Sequence, residues 1–184
     1  MNAYKTMKQI PANRYAIICA DPPWSVSSAR KHYKTMSPKK IAALPVERIA
    51  QKDAMLFLWS TCNMVKHAIQ IGEGWGFELK TIGFAWIKPE KELGLGNYTR
   101  LGMEPCLLFR RGRGLPVIMH DVRQVLLQER GPHSKKPADF LIRMARMHGD
   151  VPRIELFGRG APAVGWDIHG DQTYTNKQMV EDWS

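Results

Sequence analysis

Residues 20–24 read Ala-Asp-Pro-Pro-Trp, directly after the apolar run Tyr-Ala-Ile-Ile-Cys at 15–19. Asp21 offers a carboxylate acceptor. Pro22 has no N–H, so it presents only its carbonyl, a second acceptor held in a stiff frame. Two acceptors about 3 Å from one exocyclic NH₂ group would take both of its protons. The nitrogen then moves toward sp³ character and turns its lone pair out of the ring plane, toward an electrophile. Trp24 adds a face on which a flat base can stack, an interaction of about 1–3 kcal/mol. The same residues also suit a rigid strand exit, because neither proline can enter a sheet ladder or a helix interior and the aspartate can cap a turn. Alone, they leave both readings open.

Charge supplies a second line. The 184 residues carry 27 Lys and Arg against 17 Asp and Glu, a net charge of +10. A field of that sign suits a polyanion, although a solvated basic surface has the same sum. Its distribution favours a nucleic-acid track. The segment 30–40 (RKHYKTMSPKK) holds five basic residues and no acid, and includes the aromatic Tyr33 between Lys31 and Lys34. Further basic residues sit beside Gly or Pro at 98–114 and 129–136. Cations next to aromatics let phosphate contact and base stacking combine. Farther along, Lys136 precedes Pro137 and an amphipathic segment. There its ammonium and a helix N-terminus both favour an anion.

The elements that must position these residues follow from the apolar pattern. Residues 14–20 read as a buried strand, 54–60 as a second, and 78–88 as a third with partial alternation. Ser37 is a candidate N-cap and Pro38 a first helical residue for a helix over 37–44, with a second short helix after Pro45. Residues 63–76 place Met64, Ala68, Ile71 and Trp75 at helical spacing before glycines. The glycine-bearing stretch 89–102 is a loop of the kind that carries function. Residues 103–112 and 122–130 read as further strands, 137–149 as a helix ending at Gly149, and 153–160 as a strand entering a Gly-rich turn. The remainder reads as loop, with a polar tail over 175–184. Buried strands alternating with amphipathic helices predict a single α/β domain around a mainly parallel sheet, its core over about 14–174. In such sheets ligands bind beyond the carboxyl ends of the strands. Asp21-Pro-Pro-Trp follows one such end, and residues 158–172 follow another.

At this point the sequence resembles a known family. Asp-Pro-Pro-Trp is a signature of amino-methyltransferases acting on adenine N6, and the wider pattern is similar to the MT-A70-like branch. The likeness covers about residues 15–174. ADPPW, YKTMS (33–37), LFLW (56–59), WIKP (86–89), GMEPCLLFRRG (102–112), SKKP (134–137), IELFGR (154–159) and GW…GDQ (165–172) occur in the family's order.

The resemblance implies a Rossmann-like S-adenosylmethionine fold with permuted, β-class motif order, and direct transfer of a methyl group to adenine N6. Asp21, Pro22, Pro23 and Trp24 would be catalytic. Tyr33, Lys31, Lys34, Trp59, Lys88, Glu104 and Arg110 would bind the substrate. Ala20, Asp21, Lys136, Phe157, Gly158, Arg159, Gly160, Asp171 and Gln172 would bind S-adenosylmethionine, with Lys136 on its carboxylate and Asp171 and Gln172 on ribose and adenine. S-adenosylhomocysteine would be the product, and no metal is expected.

The chain also departs from the family. No Asp occurs before the Asp-Pro-Pro-Trp strand, where some relatives contact the cofactor adenine. Ala161 and Pro162 stand where some relatives have His-Asn, and Asp171 replaces an Asn. There is no room for a separate target-recognition domain.

A compact domain without an RNA-binding appendage suits DNA of a bacterial or phage system, with RNA as the close alternative. A catalytically silent nucleic-acid-binding paralogue is the other alternative, but intact Asp21, Trp24, Lys136 and Gln172 count against it. Such a domain can hold a duplex as a homodimer. No apolar run approaches a membrane span and the N-terminus lacks a signal-peptide core, so a cytoplasmic, nucleoid-associated protein is expected. Cys19, Cys62 and Cys106 fit neither a disulfide framework nor a zinc site, and Cys19 and Cys106 read as core.

Overall fold

The computed structural model describes residues 1–25, 35–89, 91, 93, 94, 96, 98–129 and 136–173. In chain order the strands are β1 (Ala3–Tyr4), β2 (Tyr15–Ala20), β3 (Ala50–Trp59), β4 (Glu78–Ile87), β5 (Met103–Arg111), β6 (Val125–Leu127), β7 (Arg153–Leu156), β8 (Arg159–Gly160), β9 (Asp167–His169) and β10 (Gln172–Thr173). The helices are α1 (Pro38–Ala42), α2 (Val46–Ile49), α3 (Val65–Gly74) and α4 (Asp139–His148).

Eight strands form one sheet in the order β1-β9-β7-β2-β3-β5-β4-β6. Every neighbouring pair is parallel except those made by β5, which runs against both β3 and β4. The reversal has a local cause. A parallel neighbour needs a long crossover, normally a helix, whereas the described residues between β4 and β5 contain no such helix. They fold back on themselves instead, with Gly94 and Leu101 exchanging both backbone hydrogen bonds at 2.9 and 3.0 Å.

The continuous apolar run of β2 is buried on both faces, as its central place requires. On one side Ile18, Leu56 and Leu58 meet Ile41, Val46, Ile49, Ala68, Ile71 and Trp75 from α1, α2 and α3. On the other, Ile17, Cys19, Phe57, Trp59 and Trp86 meet Phe140 and Met144 of α4 together with Trp166. The fold is therefore an α/β/α sandwich. Ser37 caps α1 by accepting from the Lys40 N–H, with Pro38 at the first helical position. Gly149 ends α4 at φ 76°, a conformation a Cβ would oppose. Cys19 and Cys106 are buried free thiols, and burial pushes both well above the usual thiol range.

The terminal strands depart from the expected pattern. Residues 161–173 are not loop alone, because they contain β9 and β10, and β1 precedes β2. These strands are two or three residues long and carry polar groups, so periodicity does not reveal them. Asp167 of β9 is buried and accepts from Tyr15 Oη at 2.7 Å and Asn2 Nδ2 at 3.1 Å. Burial pushes its carboxyl up, but those hydrogen bonds outweigh it and hold the group below its usual range. β6 is also shorter than the expected 122–130 strand.

The parallel strands send their carboxyl ends to one pole. Asp21, Lys88 and Gly170 follow β2, β4 and β9 there, and β5 begins there with Met103 and Glu104. α4 is fixed beneath that pole by Phe140, whose ring meets Trp59 edge-on at 4.7 Å and Phe84 at 5.4 Å. Phe140→Ala is expected to destabilise the fold by about 3–5 kcal/mol. Ile142→Ala, at a 59 % exposed position of the same helix, should stay within about 0.5 kcal/mol. Urea unfolding of the two variants measures both.

Candidate active site

Asp21 leaves β2 with its backbone N–H still directed at the Leu156 carbonyl of β7 (3.4 Å). The next residues cannot extend the ladder, and they close a tight turn in which the Trp24 N–H donates to the Pro22 carbonyl at 2.8 Å. One lone pair of that carbonyl remains for a ligand. The Pro23 carbonyl accepts from Met36 N–H at 2.8 Å, and Trp24 bridges to Met36. Ser25 and Met36, on either side of segment 26–34, are thus held together at the site. Lys31, Tyr33 and Lys34 lie within that segment, outside the described residues.

Trp24 is not the open stacking face expected from its type. It is 4 % exposed, belongs to the core, and donates its indole N–H to the Trp59 carbonyl at 3.1 Å. Its position makes it the anchor of the turn. Trp59 is likewise buried at 2 %, part of the floor of the site and not a wall open to substrate.

The centre of the site is a row of alternating charges. Lys136 Nζ lies 2.8 Å from both oxygens of Asp21 and 3.1 Å from Glu104 Oε2. The other Glu104 oxygen accepts from Lys88 Nζ. Trp59 and Trp86 flank Lys136, with ring centroids 5.4 and 6.0 Å from its ammonium. Lys136 is therefore not a lysine open toward an anion, because two carboxylates already hold it.

The two carboxylates respond oppositely. Burial pushes Asp21 up, and Lys136, its strongest counterweight, does not cancel that, so the carboxyl stays above the usual aspartate range. Burial also pushes Glu104 up, but Lys136 and Lys88 together overcome it and hold this group below its range. Two ammonium neighbours against one explain the difference. For Lys136, burial favours the neutral form, yet Asp21 and Glu104 raise it above the ordinary lysine value.

Beside this row stands a second wall. Phe157, directly after β7, adopts a left-handed φ of 65°, unusual for a non-glycine residue. Gly158 N–H donates to the His169 carbonyl at 3.0 Å, and a Cβ on Gly170 would fall 2.1 Å from the Gly158 carbonyl oxygen. This glycine-only contact brings the turns after β7 and β9 together. β8 and β10 then pair in parallel, Arg159 opposite Gln172. The Gln172 side chain lies outside the described residues. Gly170 was not singled out in the sequence, although its place before Asp171-Gln172 is the signal for it. Ala20 ends β2 as part of the floor, Gly160 turns at φ 79°, and Asp171 is exposed at the rim.

These residues fit S-adenosylmethionine by their chemistry. Asp171 can accept from ribose hydroxyls. His169 Nδ1 is buried without a hydrogen-bond partner among the described residues, and burial holds its imidazole below the usual pKa, with Asp171 opposing. Arg159 lies near enough to Asp21 to favour its ionised form. Among the described residues, no group of three or more His, Cys, Asp or Glu is placed to hold a metal, and no helix is long and apolar enough to cross a membrane.

Arg110 is not part of this arrangement. Because β5 is antiparallel, Arg110 faces Met55 in the middle of β3 and Glu78, the first residue of β4, away from the Asp21 pole. It pairs with Glu78 at 2.9 Å, while Arg111 pairs with Glu47 and Arg113 with Asp53, both at 3.3 Å. The expectation that Arg110 binds the substrate at this site is corrected accordingly.

The chain is similar over most of its length to known proteins. A type II methyltransferase, M.MunI of Mycoplasma sp, is 34 % identical over 92 % of this chain and 82 % of the relative. An N(6)-adenosine-methyltransferase MT-A70-like protein of Drosophila melanogaster is 29 % identical over 79 % of the chain, and the human N(6)-adenosine-methyltransferase catalytic subunit METTL3 is 26 % identical over the same share. The chain spans only about a quarter of the length of these last two (24 % and 26 %). The MT-A70 family model matches residues 15–172. That match runs from the first residue of β2 to the first of β10 and takes in Asp21, Lys88, Glu104, Lys136 and both glycine turns, so this chain belongs to the MT-A70 family.

Proposed function

We propose that the protein transfers the methyl group of S-adenosylmethionine to N6 of adenine in DNA. The observation that carries this reading is the Asp21 carboxylate held by Lys136 at the end of a central strand, followed at once by the Pro22–Trp24 turn and next to a glycine-built turn. When bound, S-adenosylmethionine supplies an electrophilic methyl group on a sulfonium. Asp21 and the free lone pair of the Pro22 carbonyl accept the two N–H groups of the target amine and turn its lone pair toward that methyl. Transfer would form the new N–C bond as the S–C bond breaks, release S-adenosylhomocysteine, and pass one amine proton to Asp21 and then to solvent. Catalysis rests on orientation and fixed dipoles. Phe157 to Gly160 and Gly170 to Gln172 hold the cofactor's nucleoside. Lys136, whose donors are taken by Asp21 and Glu104, braces the Asp21 carboxylate.

Adenine in a duplex must be flipped out of the stack to reach Asp21. The surface at this pole suits a nucleic acid. Lys39 and Lys40 are exposed on α1 just past Met36, and Arg100 is exposed beside Tyr98. Tyr98 is 100 % exposed in the fold-back between β4 and β5, the only exposed aromatic among the described residues. The type II relative, matched over most of its length, favours DNA over RNA.

Tritium transfer from labelled cofactor to matched DNA and RNA oligonucleotides tests the choice of substrate. Counts in DNA are expected, falling steeply between 50 and 200 mM salt, roughly in proportion to phosphates contacted. Counts confined to RNA, or a flat salt response, would contradict it. Asp21→Asn should lose transfer yet bind cofactor nearly as well as wild type by calorimetry, and retained turnover would remove Asp21 from the chemistry. Gly170→Ala should weaken cofactor binding at least about tenfold, because backbone must move to admit the Cβ. Tyr98→Ala should weaken oligonucleotide binding by about 1–3 kcal/mol, whereas Arg113→Ala at the opposite pole should leave it unchanged.

A further inference from the structure

Lys88, like Glu104, is a member of the charge row with no part in the proposed chemistry. Its side chain is only 5 % exposed, its ammonium meets Glu104, and the Trp86 ring centroid lies 4.8 Å away. Its backbone N–H donates to the Gly102 carbonyl at 2.8 Å, which fixes the base of the fold-back between β4 and β5. Lysine is rarely buried, and an ammonium out of water is costly unless it is paired. An apolar side chain of similar length would fill the same space without that cost. The charge itself therefore requires an explanation.

The sum along the row supplies one. Lys88, Glu104, Lys136 and Asp21 alternate in sign and cancel. Without Lys88 the buried row would carry one excess negative charge, and Lys136 would be the sole cation shared by two carboxylates it already touches at 2.8 and 3.1 Å. The other groups acting on these residues do not replace it. Arg159, from the turn after β7, acts on Asp21, whereas Glu104 is held down by Lys136 and Lys88. The Cys19 and Cys106 thiols face Asp21 and Lys136, the Cys62 thiol faces Glu104 and Lys88, and burial keeps all three protonated.

We propose that Lys88 is a positioning residue: by neutralising Glu104 it leaves Lys136 committed to Asp21, and so keeps the Asp21 carboxylate fixed and ionised for the target amine. This inference rests on the methyl-transfer reading above, and it assigns Lys88 a place behind Glu104 instead of against the substrate. Its sign follows from charge. Removing Lys88 leaves Glu104 drawing on Lys136 and exposes Asp21 to an uncompensated negative neighbour. Asp21 then holds its proton to higher pH, its ionised fraction at a given pH falls, and the acid limb of the reaction moves upward.

Two measurements on the full-length protein test the proposal. The first is a carbon-13 NMR titration of the Asp21 carboxyl, assigned with Asp21→Asn, which needs no turnover. The second is the pH profile of kcat at saturating cofactor and DNA. Lys88→Met should weaken Asp21 ionisation at least about tenfold, with the acid limb following and the KM for DNA changing less than about twofold. Lys88→Arg should restore both. Glu104→Gln should shift the titration the opposite way, and Lys88→Met with Glu104→Gln should return it toward wild type, so the proposal stays testable even where Lys88→Met folds poorly.

A Lys88→Met protein with a lower Tm but an unchanged titration and acid limb would overturn the proposal and leave Lys88 structural. A raised KM for DNA with an unchanged titration would overturn it in favour of direct substrate contact. A shifted titration in a protein that transfers no methyl group to adenine would support the electrostatic coupling and reject the methyl-transfer reading instead.

Discussion

One contact organises this molecule: the Lys136 ammonium seated between Asp21 and Glu104. A carboxylate at the end of a buried strand is costly, and burial alone would favour its neutral form. Lys136 offsets that cost through both Asp21 oxygens at once. The lysine is itself buried and requires both anions, and Glu104 requires Lys88. Asp21 keeps 32 % of its side chain exposed and Lys136 15 %, so removing one partner costs less than the roughly 3–5 kcal/mol typical of a fully buried pair. The sheet exists in the form that brings these four residues to one pole. Asp21 follows β2, Lys88 follows β4 and Glu104 begins β5. Lys136 precedes α4, whose Phe140 packs on Trp59.

The reversal of β5 is what makes the row possible. Had β5 run parallel to β3, Glu104 would start at the far pole and Arg110 would end beside Asp21. The antiparallel pairing exchanges them. It delivers a carboxylate to Lys136 and removes the arginine-rich end of β5 to Glu47, Asp53 and Glu78. The basic charge of the chain is thus divided between two poles, and only part of it can serve a ligand at Asp21.

Much of this was legible in the residues. The prolines after Cys19-Ala20 and the unbroken apolar runs mark β2 and β3, because only buried central strands tolerate such runs. Ser37-Pro38 marks α1, and Gly149 marks the end of α4. Asp21, Lys136, Glu104 and the turn at 157–160 also stood out through type and order together, and the structure brings them to one pole. Three things were not legible. The direction of β5 depends on a link whose length permits either a crossover or a fold-back. The burial of Trp24 depends on a partner carbonyl at Trp59, 35 positions away. The short strands β1, β9 and β10 have no period of their own and exist because Asp167 is held by Tyr15 and Asn2 and because Gly158 and Gly170 touch. Each is a tertiary fact that no local window contains.

The account stands or falls on which atom receives the methyl group. Nucleoside mass spectrometry of DNA after incubation with the protein and S-adenosylmethionine reads that directly. N6-methyladenine, absent with Asp21→Asn, is the predicted result. Methylation at a cytosine, or N6-methyladenine formed undiminished by the Asp21→Asn protein, would contradict it.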